Sequence, residues 1–219
     1  MKTISKDELQ KAIKLHALWL EDDAKGERLV LVGYDLSSSD LSGSDLSFSN
    51  LSGSDLSGSD LRGSDLRRSD LSFSNLSSSD LRGSNLRRSN LSFSDLSFSN
   101  LSSSDLSSSN LSSSDLRRSD LSFSNLRRSD LSGSDLSSSD LSSSDLRGST
   151  GNMLEIKSMQ LDTWPITYTA EAMAIGCQQH AIADWFAFSD KEIAQMDRSA
   201  LDWWHKWRDT IKTILEKTL

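Results

Sequence analysis

The chain is short of cysteine, of long apolar runs and of positive charge, and each shortage removes a class of protein. Cys177 is the one cysteine among 219 residues, so no internal disulfide forms and no cysteine-rich zinc site can be built. No stretch approaches the roughly 18 consecutive apolar residues of a membrane-spanning helix. The first residues, Met1-Lys2-Thr3-Ile4-Ser5-Lys6-Asp7-Glu8, lack the apolar centre of a secretory signal, which makes a cytoplasmic location, as in a bacterial expression host, the expectation. A formal net charge of −8 favours solubility and disfavours nonspecific binding to DNA or anionic membranes. The middle of the chain also lacks most of the alphabet: after Tyr34, and as far as Gly148, only Ser, Leu, Asp, Asn, Arg, Gly and Phe occur.

What remains there is periodic. Every fifth residue from Leu31 to Leu146 is leucine, and from Asp35 onward an Asp or Asn precedes it. A helix repeats every 3.6 residues and a strand every 2, so a period of five keeps leucine on one side only if the chain turns after each pentad. The unit reads Ser-Asp/Asn-Leu-Ser/Arg-X, as in Ser39-Asp40-Leu41-Ser42-Gly43, with X being Ser, Gly, Arg or Phe. Leucine and the Ser two residues before it face inward, the flanking residues point out, and the tolerant X faces water. With Leu29-Val30-Leu31-Val32-Gly33 in the same register, twenty-four pentads run from 29 to 148. Four pentads per turn give about six coils and a column roughly 29 Å long. A Ser-rich acidic segment also has the composition of a disordered chain, but disorder gives no reason for leucine at fixed spacing. A leucine-rich-repeat horseshoe has a period of 20–29 and a different leucine pattern.

On Asp40-Leu41, Asp45-Leu46, Asn50-Leu51 and their successors the chain resembles the pentapeptide-repeat proteins, whose unit is Ala-Asp/Asn-Leu-X-X. The resemblance implies an all-β repeat solenoid, a right-handed quadrilateral parallel β-helix; the right-handed crossover rule agrees. One departure is systematic, because the inward small residue is Ser from Ser39 to Ser149 where the family mostly has Ala. A buried hydroxyl without a partner costs about 1–3 kcal/mol, and more than twenty of them would exceed a domain stability of about 5–15 kcal/mol. The serines are therefore expected to be hydrogen-bonded or wet. Three positions locked for over a hundred residues between two compositionally ordinary flanks read as a designed consensus array set between borrowed caps.

Both flanks are expected to cap the array, whose terminal coils would otherwise expose interior and open strand edges. Residues 1–28 form a helical N-terminal cap. Ser5 and Glu8 make a capping box with Ile4 and Leu9 at the staple positions, so a helix starts near Lys6 and carries an apolar stripe of Leu9, Ala12, Ile13, His16, Trp19 and Leu20. The run Leu15-His16-x-x-Trp19-Leu20 through Gly26-x-Arg28 is similar to the segment leading into the repeats of phage-type pentapeptide proteins. Residues 29–149 are the repeat domain. Residues 150–219 form a C-terminal module, with extended segments around an Asp162-Thr163-Trp164-Pro165 turn and then helices: a short one near Ala181 to Phe186, one opened by Ser189 or Asp190, and a long one from about Ser199 to Lys217. Leu201, Trp204, Trp207 or Arg208, Ile211 and Leu215 give the last its stripe, which leaves one of Trp203, Trp204 and Trp207 to be exposed or at a subunit contact. The module is similar to the C-terminal part of phage and prophage pentapeptide proteins.

Candidate sites are few. Cys177-x-x-His180 has the spacing of half a zinc site, but only His16, His205 and carboxylates remain to complete it, and no third group makes it a nucleophilic pair; a buried thiol and a structural imidazole are preferred. His16 reads as a hydrogen-bonded core residue. With twenty residues per coil, Arg67, Arg68, Arg87, Arg88, Arg127, Arg128 and Arg147 share one face, Arg62 and Arg82 the adjoining one, and Arg117 and Arg118 lie elsewhere. Such a stripe would suit an anion or a nucleic-acid backbone, but Asp65, Asp70, Asp130 and Asp145 are read as alternating with it into a mixed solvated face. Phe48, Phe73, Phe93, Phe98 and Phe123 scatter over the four faces, only Phe73 and Phe93 sharing a column, and regular threonine columns for ice binding are absent. No catalytic, cofactor-binding or metal-ligating residue is assigned, and no enzyme, cofactor, membrane or specific nucleic acid is expected. The function expected is an engineered structural scaffold with no native catalytic activity or ligand, and no partner is expected, with weak self-association through the C-terminal cap left open. The alternative is a duplex-DNA mimic binding a type II topoisomerase, as the resemblance to quinolone-resistance pentapeptide proteins implies.

Overall fold

Five backbone N–H groups must find acceptors in every pentad, and a computed structural model describing residues 1–219 shows where each goes. In Asp95-Leu96-Ser97-Phe98-Ser99, the Asp95 N–H donates back to Ser74 O at 2.9 Å, while Leu96 and Phe98 donate forward to Asp115 O at 2.7 Å and Arg117 O at 2.9 Å. Ser99 N–H closes a turn onto Leu96 O at 3.1 Å. The remaining donor, Ser97 N–H, goes to Asp95 Oδ1 at 2.9 Å. This last bond is an Asx turn, and it explains why Asp and Asn interchange before leucine: both carry the Oδ1 acceptor, and the charge is incidental.

Successive coils meet in parallel at a spacing of twenty residues, as in Asp45↔Asp65 and Asp95↔Asp115. Four sides of five residues thus return the chain to its starting column. The extended segments expected from the period shrink to one bridged Asp or Asn each, since the turn consumes the rest of the pentad. The turn is tighter than the tolerance of X suggests. Every fifth position from Gly33 to Gly148 has positive φ, 61–71° at glycine and 55–62° at Ser, Arg or Phe. A positive φ at the third residue of a Leu-to-Ser turn is the signature of type II geometry. The left-handed region is unfavourable to Cβ-bearing residues and most unfavourable to β-branched ones, so the fifth position is less free than its variety suggests.

The interior is leucine and serine, as the pattern dictates. Leucines from Leu51 to Leu131 are buried essentially completely, and so are the serines two residues before each. The serines are dry but satisfied: Ser54, Ser59 and Ser79 donate Oγ–H to the leucine carbonyl three residues back at 2.6 Å. The same carbonyl accepts that serine's N–H. Only Ser49, Ser84 and Ser124 have a buried hydroxyl without a partner.

The first compact unit, Met1–Asp145, opens with β1 (Lys2–Thr3), which pairs in parallel with β2 (Tyr34–Asp35). This strand was not expected, since two exposed residues carry no pattern. Helix α1 (Lys6–Glu21) follows the Ser5/Glu8 capping box and buries Leu9 and His16, with Ala12, Ile13, Trp19 and Leu20 half-buried along the expected stripe.

The second unit, Leu146–Leu219, begins one residue past the bridged Asp145, so the last pentad is tied to it. Leu146 N–H donates to Gln179 Oε1 at 2.9 Å, and Thr167 Oγ1 donates to Ser149 O at 3.1 Å. Strands β3 (Lys157–Leu161), β4 (Trp164–Tyr168), β5 (Ala172–Ile175) and β6 (Gln178–Ala181) form an antiparallel meander. The β5–β6 hairpin was missed in sequence. It turns at Gly176-Cys177, where Gly176 has φ +59° and Trp164 lies so close that a Cβ would sit 2.9 Å from its ring. Helices α2 (Ile182–Ala187), α3 (Asp190–Met196) and α4 (Ala200–Thr218) then cover the sheet, α3 opened by a Ser189/Glu192 capping box. Trp203 and Trp204 are both buried on α4, because the helix packs on the meander through one and on α2 through the other: Trp203 meets Trp164 edge-on at 5.1 Å, Trp204 meets Trp185 at 5.7 Å. Trp207 is half-buried and donates to Asp162 Oδ2 at 3.0 Å, so none of the three is left exposed.

Candidate functional site

Charge is the one property that the column's four sides do not share. The side carrying Asp45, Asp65, Asn85, Asp105, Asn125 and Asp145 in bridged succession also carries Arg67, Arg68, Arg87, Arg88, Arg127 and Arg128, and is net cationic within the first unit. Asp70 and Asp130, read from sequence as part of this stripe, stand on the next side, because they are five residues out of its register. The opposite side, with Asp35, Asp55, Asp95, Asp115 and Asp135 against Arg117 and Arg118, is net anionic. So is the side with Asp40, Asp60, Asp80, Asp120 and Asp140 against Arg62 and Arg82.

Whether an arginine is neutralised depends on its own pentad. Where Asp precedes, the guanidinium folds back onto it: Arg67 pairs with Asp65 at 2.6 Å, and Arg62 with Asp60 more tightly still. The Arg62 hydrogen bond holds the Asp60 carboxyl down to about 2, and the same contact raises Arg62. Where Asn precedes, the Asx acceptor remains but the charge is gone. Arg87 then reaches only to Asp105 of the next coil, at 4.0 Å, and Arg127 to Asp145 at 3.9 Å. Arg88 has no ion pair at all, and Arg68 lies over the Phe48 ring at 5.3 Å. Phe48, Arg67, Arg68, Arg87 and Arg88 line a shallow hollow. Guanidinium forks so arranged attract oxyanions.

The other sequence candidates occupy separate places. His16 is fully buried; Nδ1 accepts the Leu29 N–H at 3.1 Å and Nε2 donates to Ser47 O at 3.0 Å, which fixes the neutral Nε2–H tautomer. Burial pushes its pKa down. Arg28 Nε donates to Phe48 O at 2.6 Å, so the segment that precedes the repeats serves to anchor the first coil. Cys177 is exposed and unpaired at the β5–β6 turn, where the sequence reading had a buried thiol. The His180 ring packs on Trp185 and Phe188, His205 bonds Asp190 at 3.0 Å, and no three His, Cys, Asp or Glu side chains converge. Phe73 and Phe93 stack at 5.0 Å and 3°, exposed. Sequence reasoning did not find the cleft that Trp164, Trp185, Trp203 and Trp204 line together, because the four come from three elements with no common spacing.

The family model for pentapeptide repeats matches residues 31–68, 69–107 and 114–150 in 8 copies. Solved structures similar to the chain include a pentapeptide repeat protein of Nostoc PCC 7120 designated alr5209, 31% identical, covering 47% of this chain and 78% of that one with a TM-score of 0.40. HetL, a pentapeptide repeat protein involved in heterocyst differentiation regulation in Nostoc sp. strain PCC 7120, is 23% identical over 57% of this chain and 80% of its own, with a TM-score of 0.35. QnrB1, a plasmid-mediated fluoroquinolone resistance protein, is 20% identical over 57% and 80%, with a TM-score of 0.32. No curated protein sequence matches.

Proposed function

Because this chain belongs to the pentapeptide-repeat family, structural and interaction proteins built as right-handed quadrilateral β-helical solenoids, we propose that its repeat array is an engineered structural scaffold without catalytic activity or a ligand of its own. About six coils, closed by residues 1–28 and 150–219 as caps, make up that scaffold. The observation that carries the reading is the use made of the pentad's three fixed positions: Asp or Asn serves the Asx turn, the inward Ser in most pentads bonds a leucine carbonyl, and Leu fills the core.

Three net anionic sides favour a second reading, a duplex-DNA mimic directed at a type II topoisomerase. Magnitude decides against it. From Tyr34 to Gly148 the array holds 16 Asp against 11 Arg, leaving five negative charges. A duplex as long as the column, roughly 29 Å, presents about 17 at one per ~1.7 Å. The cationic side would also meet a phosphate-shaped groove with repulsion. The scaffold is expected to leave gyrase supercoiling uninhibited at low micromolar protein and to recover no stoichiometric partner from bacterial lysate. Submicromolar inhibition that disappears at raised salt would replace the scaffold by the mimic.

A further inference from the structure

The cleft in the second unit has a lining that the array lacks. It is a small cavity of about 60 Å³. Four indoles, Trp164, Trp185, Trp203 and Trp204, contribute to its wall, and the exposed Asp197 and Cys177 stand among its lining residues. This is the apolar, aromatic wall of a small-molecule site.

The indole N–H groups tell the cleft from ordinary core. Trp185 Nε1 donates to Met173 O at 2.6 Å, Trp203 Nε1 to Leu161 O at 3.1 Å, and Trp207 Nε1 to Asp162. Trp204 is 2% exposed, yet its Nε1 makes no hydrogen bond within the protein and is not among the buried polar atoms sealed from solvent. A buried indole normally finds a partner, and this one's opening is the cleft it lines. Asp197 supplies the charge. Its Oδ1 accepts both the N–H and the hydroxyl of Ser199 at 2.8 Å, bonds that lower its pKa and keep it ionised at neutral pH.

Aromatic faces attract cations, a carboxylate at the rim completes the charge complement, and the Trp204 N–H asks for an acceptor. We propose that the cleft is a binding site for a quaternary ammonium ligand bearing a hydroxyl or carbonyl oxygen, with the ammonium against the indoles and Asp197 and the oxygen on Trp204 Nε1. The site rests on the second unit alone and is independent of what the array does.

The probe is choline, titrated into the full chain and followed by calorimetry and tryptophan fluorescence at constant ionic strength. Its control is 3,3-dimethylbutan-1-ol, the same shape with carbon in place of the ammonium nitrogen. Choline is expected to bind at least about tenfold more tightly than the alcohol. Asp197→Asn retains the Oδ1 acceptor for Ser199 and hence the fold; it is expected to weaken choline about three- to tenfold and to leave the alcohol unchanged. Choline should also slow alkylation of Cys177 by N-ethylmaleimide. Equal binding of choline and the alcohol, an Asp197→Asn variant with undiminished choline affinity, or no response to choline up to about 50 mM, a ceiling far above any specific site, would each overturn the proposal.

Discussion

The column and the second unit solve the same problem in opposite ways. In the column each residue type repeats one task at every step, and a coil is held only by the coils before and after it. In the second unit no task repeats. Trp185 ties its indole to Met173, Trp203 to Leu161 and Trp207 to Asp162, and eleven buried residues from sheet and helices share one core. The column therefore spreads its stability thinly over many equivalent bonds, whereas the second unit concentrates it in a few large side chains. Damage should stay local in the first and be general in the second.

The largest expected effect tests that contrast. Trp185→Ala removes an indole from the shared core together with the hydrogen bond it donates to the Met173 carbonyl, at a cost of about 3–5 kcal/mol. Leu96→Ala, equally buried, costs about 2–5 kcal/mol within one coil. Five of the six tryptophans lie in the second unit, so fluorescence reports that unit and circular dichroism reports both. Trp185→Ala should lower the fluorescence midpoint well below the one seen by far-ultraviolet dichroism, while Leu96→Ala should leave fluorescence nearly unmoved. Coincident transitions in both variants would break the comparison, making the chain one cooperative body.

A smaller effect probes the corners. Gly83 has φ +64° and nothing lies within 4 Å of the point a Cβ would occupy, so any cost of a side chain there is backbone strain alone. Gly83→Val is expected to lose about 1–2 kcal/mol. Ser103→Gly, at φ 58°, exchanges that strain for the unfolded-state entropy of glycine and should gain up to about 1 kcal/mol. Thermal midpoints of the two variants should move in opposite directions; movement in the same direction would mean that packing, not φ, governs the fifth position.

These corners also mark where the sequence stopped being legible. A five-residue period and the inward pair of Ser and Leu follow from side-chain chemistry alone, and they placed the column, its register and its faces. The left-handed φ leaves no such mark, because Val, Ile and Thr are missing from every position between Tyr34 and Gly148 and the variety at the fifth reads as tolerance. The Asx turn was visible in the Asp/Asn exchange, but as a motif rather than a bond. In the second unit the capping box at Ser189 and the stripe on α4 located helices, whereas β1 and the β5–β6 hairpin depend on partners distant in sequence. The indole cleft depends on them too: it exists only once Trp164, Trp185, Trp203 and Trp204 have been brought together.

The smallest expected effect lies inside the column and asks whether its repeated bonds are as equivalent as its sequence. Ser79 and Ser84 occupy the same place in consecutive pentads and are both about as buried as their leucines. Ser79 Oγ donates to Leu76 O at 2.6 Å, whereas Ser84 Oγ has no partner. Ser79→Ala removes a donor from a carbonyl that keeps the backbone N–H of residue 79 at 3.1 Å, so the loss should be about 0.5–1.5 kcal/mol. Ser84→Ala removes a hydroxyl that was desolvated without return, and should be neutral or gain about 1 kcal/mol. Because one such site is near the limit of measurement, Ser49, Ser84 and Ser124 changed together to Ala provide the clearer reading, set against a triple change at Ser59, Ser79 and Ser99. The first triple should raise the midpoint of the dichroism transition and the second should lower it. Equal shifts would show that all inward serines hold the coils with the same strength, and that the column is uniform in energy as well as in sequence.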